Sequence, residues 1–155
     1  LKPVRRFIRK REGSDPETND PLIPLKTMLE VVCGIIKNSS GKFLVCRRGL
    51  ERHLGGLWEF PGGKVDEGES PEAALTRELH EELAISVRVG QPLAAVVEWT
   101  DGTVSIRLRG YFCEILKGLP HPHEHEEIRW CELSELPRLD WAKADLPLVG
   151  ELMRR

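Results

Sequence analysis

The sequence predicts a single α/β domain in which strands surround one central helix, and three observations carry that prediction. Runs of β-branched and apolar residues recur between turn formers, among them "MLEVVCGII", "KFLVCRR", "LAAVVEW" and "TVSIRLRGYFCEI". One segment near residues 71–83 repeats its leucines at helical spacing, and a second amphipathic stretch, "LPLVGELMRR", closes the chain. A length of 155 residues, 40% hydrophobic and 31% charged, suits one buried core. Strands interleaved with helices give α/β or α+β architecture with a mixed sheet.

Taken in order, residues 1–11, "LKPVRRFIRKR", hold six basic side chains, and the next segment, "EGSDPETNDP", is acidic and rich in turn formers. No aromatic or glycine spacing accompanies that charge, so residues 1–26 read as a polar, solvated N-terminal extension rather than a phosphate-binding arm. The domain is expected over 27–155. "MLEVVCGII" and "KFLVCRR", joined by "KNSSG", read as a hairpin. A glycine-containing loop, "ERHLGG", leads to the short strand "LWEF", which "PGG" breaks. Thr100-Asp101-Gly102 between two apolar runs predicts a second hairpin. "EEIRWCEL" reads as a short strand, "LSELPRL" as a helical turn and "LPLVGELMRR" as a helix.

Composition excludes several functions. Lysine and arginine total 23 against 25 aspartates and glutamates, a formal charge of -2 that supplies no global attraction for nucleic acid or an anionic membrane. No stable nucleic-acid partner is expected, and a polyanionic ligand has to be held locally. Cys33, Cys46, Cys113 and Cys131 lack the short paired spacing of a zinc site and read as buried thiols of a cytoplasmic protein. No stretch approaches the roughly 20 apolar residues of a membrane helix. The sequence carries no signature of a particular oligomeric state.

The charge concentrates in "GGKVDEGESPEAALTRELHEELAI", residues 62–85. Ser70-Pro71 is a helix start: the hydroxyl accepts from a free backbone N–H, and proline at the first position gives up a donor that had no partner. Glu72 suits the positive end of the macrodipole. The spacing predicts a helix to about Leu83, with Leu75, Leu79 and Leu83 in one stripe and Glu78, Glu81 and Glu82 on an adjoining arc. An ordinary solvated face is the bland reading. Like charges at such spacing repel, however, and only Arg77 lies close by to compensate. Hard carboxylate oxygens without cysteine or histidine on the same arc suit Mg²⁺ or Mn²⁺ rather than zinc.

The array Gly63, Glu69, Arg77, Glu78, Leu79, Glu81, Glu82 and Ile85 resembles the Nudix box, G-x5-E-x7-R-E-U-x-E-E-x-G-U, where U is a bulky apolar residue. The match fails only at Ala84, where the family has glycine. That position falls at the helix end, where the chain commonly turns left-handed, so the departure bears on stability and leaves the carboxylates untouched.

The resemblance implies a Nudix-type α/β/α sandwich with a mixed sheet and a central loop-helix-loop. It implies Mg²⁺, with Mn²⁺ possible in its place, bound by Glu78, Glu81 and Glu82, with Gly62 or Gly63 lending a carbonyl. Arg77 would orient the carboxylates and Glu69 support the loop. The general base is left between Glu78 and Glu124, because "HPHEHEEIRW" is similar to a family stretch that places a glutamate six residues before a tryptophan. His121, His123 and His125 read as exposed residues of that loop.

Residues 43–70 look like the same region of MutT-type proteins, which convert nucleoside triphosphates, notably 8-oxo-dGTP, to monophosphate and pyrophosphate in nucleotide-pool sanitation and DNA repair. In that comparison Arg48 would hold phosphate or purine, His53 lies in the loop closing over the nucleotide, and Phe60 walls the base or serves the core. MutT-type proteins carry asparagine where Asp145 falls. An ionised aspartate only accepts, which favours a base edge offering N–H donors, as in the related pyrimidine triphosphate hydrolases. Asp145 also suits the N-cap of the last helix. The expected substrate is therefore a nucleoside triphosphate, modified purine or CTP-type pyrimidine. A non-catalytic nucleotide sensor is the alternative from another class.

Overall fold

The computed structural model describes the backbone of residues 7–9, 22–24 and 27–155, with side chains from Met28 onward except Asp101. Most of the basic stretch in residues 1–11 lies outside the described residues. Within the extension, β1 (Phe7–Arg9) pairs antiparallel with β2 (Leu22–Pro24), Ile8 opposite Ile23, where the sequence suggested no element.

The body begins with β3 (Thr27–Ile36), β4 (Phe43–Arg48), β5 (Trp58–Glu59) and β6 (Gly62–Lys64). Then come α1 (Pro71–Leu83), β7 (Ser86–Asp101), β8 (Val104–Lys117) and β9 (His125–Cys131). Two 3-10 turns, Leu133–Arg138 and Lys143–Asp145, precede α2 (Leu146–Arg154). One sheet has the order β6-β3-β8-β7, with β3 and β8 parallel; the other has the order β5-β4-β9.

The first expected hairpin is corrected here. The turn forms, held by Asn38, whose N–H donates to the Lys42 carbonyl and whose Oδ1 accepts from the N–H groups of Ser40 and Lys42. Only the Lys37–Phe43 bridge closes it, after which β3 and β4 enter different sheets. The reason lies in their burial: Val32, Cys33, Ile35 and Ile36 are all buried, as are Phe43 to Cys46. Strands apolar on both sides belong in the middle of a layered fold, and a turn fixes reversal without fixing lateral partners. The Thr100–Gly102 hairpin forms as expected, with β7 and β8 paired along most of their length.

Alternate residues of β3 and β4 serve two cores. Val32, Ile36, Leu44 and Cys46 pack with Leu75, Leu79 and Leu83 of α1. Cys33, Ile35, Phe43 and Val45 pack with Phe60, Trp141 and Leu148 on the side of α2. The result is the expected α/β/α sandwich. All four cysteines are buried, and burial pushes the Cys113 thiol up to about 12. No helix among the described residues is long and apolar enough to cross a membrane.

Local chemistry sets α1 as the sequence suggests. The Ser70 hydroxyl accepts from the Ala73 N–H at 3.1 Å. Ala84 ends the helix at φ 57°, ψ 35°, donating its N–H to the His80 carbonyl. That left-handed conformation costs an L-residue with a Cβ more than it costs glycine, so Ala84→Gly is expected to stabilise the fold by about 1 kcal/mol, read as a higher denaturant midpoint at unchanged slope.

At the C-terminal end, residues 140–142 lie along β5: Trp58 donates to the Asp140 carbonyl at 2.8 Å and accepts from the Ala142 N–H at 2.9 Å. This pairing delivers Asp145 to the strand that leads into the glycines. Glu151 of α2 clips β7, its carboxylate accepting from the N–H groups of Ala94 and Ala95 where the strand bulges.

Candidate active site

Arg77 is the hub that joins helix and loop. Its Nε and Nη2 each donate at 2.9 Å to the Glu69 carboxylate, and Nη2 also reaches the Lys64 carbonyl at 3.1 Å. Its Nη1 donates to Glu78 at 2.9 Å and more loosely to Glu81 at 3.4 Å. The paired guanidinium bonds, with the Asp66 N–H, hold the Glu69 carboxyl down to about 2. A depressed folded value means that this pair's contribution is present above the ordinary carboxylate range. It is lost as pH falls through about 2. Glu69→Gln should therefore flatten the acid limb of the stability curve, measured as unfolding midpoint against pH.

The glycines before the helix are required by contact. A Cβ on Gly62 would run into the Val32 carbonyl of β3, and one on Gly63 would occupy the place of the Glu78 carboxylate. The Gly62 N–H offers the Glu82 carboxylate a small opposing stabilisation of its charge. Glu82 is only 8% exposed, and its Oε2 has no hydrogen-bond partner. Burial first, then the charges of Glu59, Glu78 and Glu124, push its carboxyl up to about 8. Glu78 is also raised, by burial that outweighs its bond to Arg77. Glu81, by contrast, is more than half exposed.

Glu124 reaches this cluster through the helix end. The last carbonyls of α1 accept from the loop: Leu83 from His121 N–H at 2.9 Å, and Glu82 from His123 N–H at 3.1 Å. The His121 and His123 rings are exposed and lie 4.6 Å apart. The expectation of exposed histidines fails at His125. It opens β9, is 7% exposed, and its Nε2 lies 2.9 Å from Glu59 Oε1, because the strand turns this side chain inward.

Among the described residues, no group of three or more acidic, histidine or cysteine side chains is arranged so that it could hold a metal ion as it stands. The donor set nevertheless fits a hard divalent cation. Glu82 carries an orphaned buried oxygen, Glu78, Glu82 and Glu124 repel one another, and Arg77 stands as counter-charge to Glu78 and Glu81.

The remaining candidates gather around β5, Asp145 and Phe60 on the side of α2 and Arg48 with the His53 loop at Glu59. Asp145 Oδ2 accepts from the Phe60 N–H at 2.9 Å. It occupies the N-cap position of α2, but its side chain caps nothing there. The N-cap reading is thus corrected: the register of residues 140–142 aims the carboxylate at β5 instead. Burial, with a smaller contribution from Glu59, pushes Asp145 up to about 7 against the opposing Phe60 N–H. Phe60 is 3% exposed and stacks at 4.7 Å from Trp141, so its ring serves the core. Arg48 bonds Glu59 at 2.7 Å and the His53 carbonyl at 3.1 Å, tying the 49–56 loop to β5.

Glu59 was not singled out by the sequence. Its carboxylate takes Arg48 on one oxygen and His125 on the other, and these bonds hold it below the ordinary range despite burial. A signal existed: Trp58 and Phe60 enter one core, so period-2 alternation turns Glu59 to the opposite side. That this side is the one carrying α1 only the fold reveals.

Similarity to known proteins extends over most of the chain. The NUDIX domain family model matches residues 28–152. The chain is 39% identical over 126 residues to the CTP pyrophosphohydrolase of Escherichia coli K12, covering 81% of this chain and 92% of that one. It is 32% identical over 126 residues to the 8-oxo-dGTP diphosphatase of the same organism, covering 81% and 97%. The solution structure of the E. coli ORF135 protein superposes with a TM-score of 0.72 at 37% identity, covering 84% of this chain and 91% of that one.

Proposed function

The chain belongs to the Nudix hydrolase family, and from that premise we propose that it hydrolyses nucleoside triphosphates to monophosphate and pyrophosphate, with Mg²⁺, or Mn²⁺ in its place, as cofactor. The observation that carries the reading is Glu82, a buried carboxylate with an unpartnered oxygen among three other acidic side chains. Such a group favours a divalent cation as its missing partner. Glu78, Glu81 and Glu82 would hold it, with Glu124 and a carbonyl of Gly62 or Gly63 completing the set.

When bound, the cation neutralises phosphate oxygens and acidifies a water molecule. The chain's own residues do the rest. Arg77 orients Glu78 and Glu81 through its Nη1, so that both carboxylates would be available to a cation that supplied the counter-charge. Glu78 or Glu124 accepts the proton of the attacking water. Arg48 and the His53 loop would enclose the phosphates and base, and the carboxylate of Asp145 would read the base edge.

Two relatives bear on the base. The 8-oxo-dGTP diphosphatase supports a modified purine substrate and a role in nucleotide-pool sanitation and DNA repair. The CTP pyrophosphohydrolase, together with an acceptor at Asp145, supports a pyrimidine. We place this chemistry in the domain over residues 27–155, with 1–26 as an extension, in the cytoplasm, where buried free thiols persist.

The deciding experiment is product analysis with Mg²⁺ and a panel of 8-oxo-dGTP, dGTP, CTP and dCTP, with Glu81→Gln in parallel. Monophosphate plus pyrophosphate from one of them, lost in the variant, is the expected result and identifies the base. Tight metal-dependent binding without turnover would return the sensor reading.

A further inference from the structure

The geometry points to His125 as a positioning residue: it closes a ring of hydrogen bonds that fixes the nucleotide-enclosing loop and the Glu124 segment at one separation. This rests on the proposed hydrolase reading and adds a residue outside the Nudix box to it.

The ring can be followed bond by bond. Glu59 on β5 accepts from Arg48 Nε at 2.7 Å. Arg48 Nη1 donates to the His53 carbonyl at 3.1 Å, in the 49–56 loop. The neighbouring residue, Arg52, donates through Nη1 to the Glu124 carbonyl at 3.3 Å. Glu124 is followed by His125, whose Nε2 lies 2.9 Å from the other oxygen of Glu59. The end of β4, the loop that follows it, β5 and the start of β9 are thereby joined in a closed circuit.

Within the circuit His125 has the most constrained position. Its side chain is 1% exposed, and Nδ1 is buried without a partner. Glu59 is held ionised by its two partners and can only accept, so Nε2 carries the hydrogen and donates. A leucine would fill this site more comfortably, since it leaves no buried nitrogen unpaired. Histidine is useful here for the one bond it directs at Glu59. Losing that bond frees one oxygen of Glu59 and opens the ring, so that the loop and the Glu124 segment, still tied to each other by Arg52 and by the pairing of Arg48 with His125, lose their common anchor on β5, although no group that touches substrate has been removed.

The test is a double-mutant cycle on KM and kcat with the nucleotide that wild type turns over, using His125→Leu, Arg52→Ala and both together, with His125→Gln as the conservative variant. Opening a ring twice costs little more than opening it once. His125→Leu is expected to raise KM about tenfold, and the double variant to be no worse. His125→Gln retains an N–H donor and should recover to within about twofold of wild type. Additive effects of Leu and Ala, or Gln no better than Leu, would overturn the inference. Should His125→Leu fail to fold, the same cycle with Gln in its place and Arg52→Ala decides: a Gln variant with raised KM, additive with Arg52→Ala, counts against it. Wild type inactive on every nucleotide would instead remove the hydrolase reading itself.

Discussion

Glu82→Gln is expected to lower kcat for nucleotide hydrolysis by about 100- to 10,000-fold while making the metal-free protein more stable at pH 8 and above. Both results come from one feature. The Glu82 carboxyl is pushed up to about 8, so the folded state resists its ionisation where the unfolded chain does not. For a group raised in this way the folded state binds more protons between the ordinary carboxylate value and about 8. Stability therefore falls as pH rises through that window, and the full penalty remains above it. Glutamine keeps the shape and removes the titration. Its melting temperature should change less with pH across the window and exceed that of wild type at the alkaline end. Mg²⁺ should narrow the gap by stabilising wild type more than the variant, because binding to the native state adds stability that rises with the logarithm of affinity. Thermal unfolding against pH, with and without Mg²⁺, alongside pyrophosphate release, measures both halves. A variant that is fully active, or less stable than wild type without metal at pH 8, would contradict the assignment of Glu82 as a ligand held for a cation.

Asp145→Asn is expected to shift the ratio of kcat/KM between 8-oxo-dGTP and CTP by about 10- to 100-fold toward the purine. The substitution leaves the backbone bond in place, since an amide oxygen can accept from the Phe60 N–H as the carboxylate does. What changes is the second polar atom, which becomes a donor. Burial of a charged group at this position also disappears, so the fold should be at least as stable near neutral pH. Steady-state kinetics on both nucleotides, with the melting temperature as control for folding, separates a change of base recognition from damage to the core. A ratio that does not move would remove Asp145 from base recognition and leave it as a clip between α2 and β5.

These expectations draw unequally on sequence and fold. Helix α1 was legible almost to the residue because its determinants are local: Ser70 and Pro71 start it, the leucine stripe gives its buried side, and Ala84 closes it. The box glutamates share that clarity, since a helix of known phase fixes which side chains lie together. The strands were legible as strands, yet the pairing of β3 and β4 was not. Their apolar runs match many partners equally well, and only the packing of two cores chooses among them. Glu59 and His125 illustrate the same gap at the site. They lie 66 positions apart, and nothing local to either announces the bond between them.

By itself, then, the sequence determined the α/β class, the bounds of α1 and the carboxylate set on its face, because cap chemistry and helical periodicity act over a few residues. The tertiary structure decided which of those carboxylates is buried without a partner, that Asp145 turns to Phe60 instead of capping α2, and that His125 meets Glu59. Each of these depends on segments brought together across sheets, where burial and the charges of distant residues set the chemistry of a side chain.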